Sequence, residues 1–256
     1  MTNTPRYYDI GGNKYPSVTS VCGVIAKPAL YGWYGKHGTK TCQQLLDESA
    51  QIGTALHSSI QQYYDHALTK STSPAKSTSS AKRFKLPPLC KTAWSNFRAF
   101  NRQYPLRPLF LEYVVYSDLF KYAGCLDGLF EYFPDGPKRK PKTILIDWKT
   151  SGSIYPEYAL QVEAYGVAAA QQFARLSNDA ADTAMAKQYR RYVPDEYWIV
   201  RLDKHRAIDF DKDIQHLQPD ESRFIVFLSA LNLFNYLHPR KDEPIPCQKP
   251  QTILPN

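Results

Sequence analysis

The chain has no C-x-x-C pair, and its five cysteines (Cys22, Cys42, Cys90, Cys125, Cys247) are odd in number and widely spaced. That pattern excludes a disulfide framework and the usual zinc-ligand spacing, and it points to a reducing, intracellular compartment. No stretch approaches the roughly 20 apolar residues of a membrane span. The opening MTNTPRYYDIGGNKYP lacks the apolar run of a signal peptide and the Arg-rich character of a transit segment. A cytoplasmic protein with no membrane partner is expected. Nothing in the 256 residues separates as an independent second domain.

Hydrophobic residues make up 43% and charged residues 22%, the ordinary range for a folded chain, which excludes wholesale disorder. The excess of 32 Lys and Arg over 24 Asp and Glu gives a net charge of +8, which draws polyanions towards the surface. A solvated basic surface without such a partner accounts for the same number.

A turn expected at Gly11-Gly12 ends the polar start, and one or two short helices follow, broken before Pro28. Residues 15–40 read as a helical cover. Over 41–68, Leu45, Leu46, Ile52, Leu56, Ile60, Tyr63 and Tyr64 recur at helical spacing around the run GTALH. Residues 70–86 hold a Ser-rich six-residue repeat and the cations Lys82, Arg83 and Lys85, too poor in apolar side chains to order themselves. This flexible basic loop suits contact with a nucleic-acid strand or plain solvation equally.

A helix over 87–104 leads into strands over 109–116, 122–133 and 142–150, rich in β-branched and aromatic residues. The second connection, PDGPKRKP, is a strong turn signal. A helix over 156–175, an alanine-rich insertion to Tyr192, a strand over 196–202, an edge strand at AIDF and a helix over 219–237 complete the pattern. The expected fold class is α/β, a mixed central sheet flanked by helices. Residues 108–237 form its core and 238–256 a tail.

The run ILIDWKTS ends an apolar strand with Asp147 and Lys149. An isolated D-x-K is nearly uninformative, but antiparallel register is not. Residues facing each other across a hairpin are centred on its turn, and the midpoint of Asp127 and Asp147 is 137, inside PDGPKRKP. The midpoint of Glu112 and Asp127 is 119.5, inside SDLFK. Three carboxylates therefore line up across three strands, with Lys149 on the face of Asp147 and Trp148 on the other. Like charges so placed repel unless a cation sits among them, and all-oxygen ligation suits Mg²⁺ or Mn²⁺. Ordinary surface charges on an exposed sheet face are the alternative.

Gly53 and His57 lie four apart on one helical face, where glycine allows close approach and the imidazole faces a neighbour. His57 suits a metal or a structural role. Gln161 and Tyr165 are again four apart, on the helix after the D-x-K strand, and suit a phosphate or a sugar, or a polar helix face.

In order and spacing, Gly53-x-x-x-His57, Glu112, Gly124-x-x-Asp127, Asp147-x-Lys149 and Gln161-x-x-x-Tyr165 resemble the PD-(D/E)xK nuclease superfamily, in its RecB-type exonuclease branch. The runs YPSVTSVCGVIAKPALYGWYGK, YAGCLDGLFEY, IDWKTS and LQVEAYGVA are similar to the mitochondrial genome maintenance exonuclease family and its phage relatives. The resemblance covers about residues 15 to 237. It implies a restriction-endonuclease-like core and a Mg²⁺- or Mn²⁺-dependent DNA exonuclease, preferring single-stranded ends and leaving 5′-phosphates, in phage or bacterial replication, recombination or repair.

By the same resemblance, Asp127, Asp147, the Trp148 backbone carbonyl and His57 ligate metal, and Glu112 binds it or orients a water. Lys149 positions or deprotonates the water and stabilises the transition state. Gln161 and Tyr165, with Lys82, Arg83 and Lys85, bind DNA. Lys138, Arg139, Lys140 and Lys142 are non-specific backbone contacts at most. The strict "PD" is absent, Cys125-Leu126 preceding Asp127, in the G-x-x-D form usual for this branch. Only Cys247 lies beyond the core, so no iron–sulfur cluster is expected. A structure-specific endonuclease and a non-catalytic nucleic-acid-binding protein are the competing functions. The pattern leaves cleavage polarity and oligomeric state open.

Overall fold

The structure is a computed structural model that describes residues 4–72, 90–136 and 139–239. Lys82, Arg83, Lys85, Lys138 and Cys247 lie outside the described residues.

A hairpin opens the chain, β1 (Tyr7–Ile10) against β2 (Asn13–Pro16). Gly11 and Gly12 form its turn at φ of 58° and 82°, the left-handed pair that a two-residue hairpin needs. The glycine pair marks the turn, but its short flanking strands escape periodicity analysis. Helices α1 (Val18–Cys22) and α2 (Pro28–His37) follow, the first capped by Ser17 and the second opened by Pro28. Then come the long α3 (Thr39–Thr72) and α4 (Lys91–Gln103).

One mixed sheet has the order β3 (Leu106–Ser117), β4 (Tyr122–Tyr132), β5 (Lys142–Lys149), β6 (Glu196–Arg201), β7 (Ile214–Leu217). All neighbours are antiparallel except β5 and β6, which the helix α5 (Pro156–Asp179) connects as a parallel pair. The alanine-rich insertion forms a helix of its own, α6 (Thr183–Arg191), capped by Asp182. The helix α7 (Glu221–Leu237), capped by Asp220, closes the order.

Both faces of the sheet are covered. Against one face pack Val18, Val162, Phe173, Phe227 and Phe234 from α1, α5 and α7, meeting Leu129, Leu145 and Ile199. Against the other pack Leu56, Ile60, Phe97 and Phe100 from α3 and α4, meeting Phe130, Ile146, Trp148 and Trp198. Coverage on both sides explains why β5 and β6 read as unbroken apolar runs. Trp148 sits edge-on to Phe97 and Phe100 at ring distances of 5.6 and 5.3 Å. Its indole Nε1 has no hydrogen-bond partner among the described residues. That omission costs about 1–3 kcal/mol, whereas burying an indole of roughly 200 Å² contributes about 5 kcal/mol. Burial wins.

Two expectations change. Residues 207–210 are loop and the edge strand is β7, because Asn96 of α4 binds the Ile208 amide through its Oδ1 and the Asp203 and Arg206 carbonyls through its Nδ2. Those bonds hold the segment against α4 instead of along β6. Leu45 and Leu46 of α3 are exposed, whereas Leu56, Ile60 and Tyr64 are buried in the core. Among the described residues, no helix is long and apolar enough to cross a membrane.

Candidate functional site

The register inferred from the turns holds. Leu111 pairs with Gly128 and Tyr113 with Leu126, which brackets Glu112 opposite Asp127. Gly128 pairs with Ile146, which brings Asp127 level with Asp147. There the β4–β5 ladder stops. The Trp148 amide donates to Asp127 Oδ2 at 2.7 Å, so a side chain replaces the next main-chain rung. Glu112 has φ of 46°, a left-handed conformation that costs a non-glycine residue about 1–2 kcal/mol. This distortion and the end of the ladder coincide at the carboxylates.

His57 reaches the same place from α3. Its Nδ1 lies 3.4 Å from Asp127 and 3.6 Å from Glu112, and its Nε2 donates to the Trp148 carbonyl at 3.1 Å. One atom from each of His57, Glu112 and Asp127 falls within 4.8 Å of the others. Two ligands of one Mg²⁺ lie at most about 4.2 Å apart, and the 3.6 and 3.4 Å from Nδ1 to Glu112 and Asp127 fall inside that limit, so this nitrogen and these oxygens suit such a cation, or Mn²⁺. The bond from Nε2 to a carbonyl is the outer contact that fixes an imidazole for ligation through Nδ1. The Trp148 carbonyl, expected among the ligands, accepts this bond with one of its two lone pairs.

Asp147 stands apart from this trio. It is fully buried and paired with Lys149, whose Nζ lies 2.6 Å from Oδ2, and Gln161 Nε2 donates to Oδ1 at 3.2 Å. Lys149 also donates to Gln161 Oε1 at 3.2 Å and lies 4.8 Å from the Tyr158 ring centre. Gln161 in turn donates to the Tyr165 hydroxyl at 3.0 Å. Gln161 and Tyr165, expected to hold a strand, are buried behind the Asp147–Lys149 pair. Gly124 makes room for this arrangement, since a Cβ there would meet Tyr165 Cε1 at 2.3 Å. At Gly53 a Cβ would meet only Thr150 Oγ1, at an ordinary 3.6 Å, so packing against a neighbour is not what requires that glycine.

The charges push one another apart. Burial raises the Asp147 carboxyl, and the like charge of Asp127 adds to it, so that it is pushed up to about 6 against the pull of Lys149. Burial also acts on Asp127, but His57, Lys149 and the Trp148 amide outweigh it and hold this carboxyl below the usual range. For His57 burial opposes the charge, and Asp127 and Glu112 reverse the sign, holding the imidazole well above its ordinary value. Lys149 is likewise raised, burial being outweighed by Asp147 and Asp127.

A cleft of about 590 Å³ opens over His57 and Glu112. Gly53, Thr54, Ser58 and Gln61 of α3 line it, and so does Arg6. Tyr158 and Arg6 escaped sequence analysis because no spacing rule ties them to the carboxylates. Lys142, at the far end of β5 from Asp147, is paired with Glu196 and takes no part. No protein-family model matches the chain, and no curated protein matches it.

Proposed function

We propose that the chain is a divalent-metal-dependent deoxyribonuclease of the PD-(D/E)xK kind, an exonuclease acting on single-stranded DNA ends in phage or bacterial replication, recombination or repair. The observation that carries this reading is the convergence of Glu112, Asp127 and His57 from β3, β4 and α3 beside a buried Asp147-x-Lys149 pair. Sheet pairing alone would not bring an imidazole there.

His57, Glu112 and Asp127 would hold the cation, and Asp147 borders them. When bound, Mg²⁺ or Mn²⁺ supplies charge neutralisation at the phosphate and makes a hydroxide nucleophile accessible at neutral pH. Lys149 supplies a positive charge beside the phosphate and positions the attacking water. Gln161 bridges Asp147 and Lys149, and Tyr165 backs Gln161, so this pair of residues sets the direction of the ammonium. The Tyr158 ring limits water around Nζ from the opposite side. Water adds to phosphorus and the P–O3′ bond breaks, leaving a 5′-phosphate and a 3′-hydroxyl.

The test compares end-labelled linear single strands, duplexes and closed single-stranded circles, with and without Mn²⁺. Shortening of linear single strands with circles left intact is expected, and Asp127→Asn should abolish it while the circular-dichroism spectrum stays unchanged. Cut circles would make the protein an endonuclease. Tight DNA binding with no cleavage of any substrate would make it a non-catalytic binding protein.

A further inference from the structure

The cleft over the carboxylates has a cation on its outer wall that the chemistry above leaves unused. Arg6 stands just before β1, and its backbone is fixed at both ends. Its amide donates to Ser20 Oγ at 2.9 Å and its carbonyl accepts from the Ser17 amide at 2.9 Å. Ser17 caps α1, whose Val18 and Val21 are fully buried, so the hydrophobic core determines where the Arg6 backbone sits.

The side chain is held as well. Nη2 donates to the Tyr8 hydroxyl at 2.8 Å, and the guanidinium carbon lies 5.1 Å from the centre of the Tyr8 ring. Among the described residues no carboxylate lies within ion-pair distance of Arg6. One of five N–H donors is committed to Tyr8, which leaves the other four without a partner among the described residues. A guanidinium fork fits the oxygens of a phosphate in two-point fashion. Tyrosine packing reduces the freedom lost when the fork engages a ligand.

His57 and Glu112 line the cleft that Arg6 lines. An anion that enters this cleft therefore meets both a held cation and the candidate metal ligands. We infer that Arg6 binds a phosphate of the nucleic-acid strand adjacent to the scissile one, with Tyr8 as the residue that holds its guanidinium in place. The inference rests on the nuclease reading for the identity of the ligand. It assigns the opening hairpin a part in substrate binding.

The phosphate has two possible sources, an internal phosphodiester or a terminal monophosphate. The experiment measures equilibrium binding of oligodeoxythymidine in Ca²⁺ over a range of salt, and steady-state cleavage in Mn²⁺. Strands carry a 5′-hydroxyl, a 5′-phosphate or a 3′-phosphate. For Arg6→Ala, KM is expected to rise about tenfold, with the loss falling on KM and not on kcat. The slope of log K against log salt should become shallower by about 0.7, one phosphate contact on a single strand. Tyr8→Phe should give a smaller change in the same direction, and Arg6→Lys an intermediate one. Equal loss on all strands identifies an internal phosphodiester, and loss confined to one phosphorylated end identifies a terminal phosphate.

An unchanged salt slope and KM in Arg6→Ala, with wild-type protein binding and cleaving normally, would overturn the inference and leave the nuclease reading intact. Wild-type binding without cleavage would end the nuclease reading, while the Arg6 slope still decides this inference. No DNA binding by wild type removes both.

Discussion

Asp127 accepts the Trp148 amide at 2.7 Å at the point where β4 and β5 part. One carboxylate oxygen is thus spent on closing the sheet, and the other faces His57. The backbone bond holds the site's geometry and the remaining oxygen is free for a cation. Asn at this position keeps an acceptor for the amide and removes the charge.

Cation binding should therefore depend on the charge of Asp127 more than on its shape. Mn²⁺ at a hundredfold excess over its Kd is expected to stabilise wild-type protein by about 2.7 kcal/mol. Asp127→Asn should lose most of that shift while its metal-free melting temperature stays close to wild type. Thermal unfolding with and without Mn²⁺ measures both.

Glu112 stores backbone strain at φ of 46°. Glu112→Gly removes the strain along with the side chain, so stability should change by less than about 1 kcal/mol or improve. Affinity for Mn²⁺, followed by titration calorimetry, should fall at least tenfold. A clear drop in melting temperature with unchanged cation affinity would mean that Glu112 serves only the fold.

Gly53 faces the cleft and is not pressed by a neighbouring element. Gly53→Ala should stabilise α3 by up to about 1 kcal/mol through helix propensity. The added methyl group narrows the cleft beside His57, and KM for DNA should rise. Opposite signs in stability and activity are the expected result.

Gly124→Ala forces a methyl group against the Tyr165 ring. Overpacking of this kind costs about 1–3 kcal/mol, and displacement of Tyr165 disturbs Gln161 and through it Lys149. Tyr165→Leu should recover part of the lost stability in the double variant. It should not recover activity, because the hydroxyl that receives Gln161 is gone. A double-mutant cycle in denaturant separates the two effects.

Away from the site, Asp213 is buried and takes Arg201, Arg206 and the Asp209 amide. Burial alone would raise its carboxyl, but these partners hold it below the usual range. A lowered folded-state value means stability that is present above the unfolded value near 4 and is lost as pH falls through the folded one. Asp213→Asn should cost about 1.5–3 kcal/mol at pH 7, the size of a charge-assisted hydrogen bond, because buried Arg201 keeps Asp203 as its ionic partner. The gap between wild type and variant should shrink as pH drops below about 4, measured by urea unfolding across pH.

Antiparallel pairing through short turns is nearly deterministic, and this made Glu112, Asp127 and Asp147 legible. Side chains alternate with period two and a tight connection leaves little room for slippage, so position numbers alone aligned the three carboxylates. The same rule sent Trp148 to the face opposite Asp147 and Lys149. Helical spacing placed Gln161 and Tyr165 together but not the direction in which they point, because either face of an amphipathic helix satisfies the period. Only packing of α5 on the sheet turned them inwards to the Asp147–Lys149 pair.

What the sequence by itself determined is the element pattern and the alignment of the three carboxylates, because both follow from local periodicity and turn length. Tertiary structure decided the rest. His57 meets Trp148 across 91 positions, and Arg6 faces His57 and Glu112 from the opening hairpin. No local rule connects such distant positions. Their meeting depends on α3 burying Leu56, Ile60 and Tyr64 against one face of the sheet while α1 docks on the other.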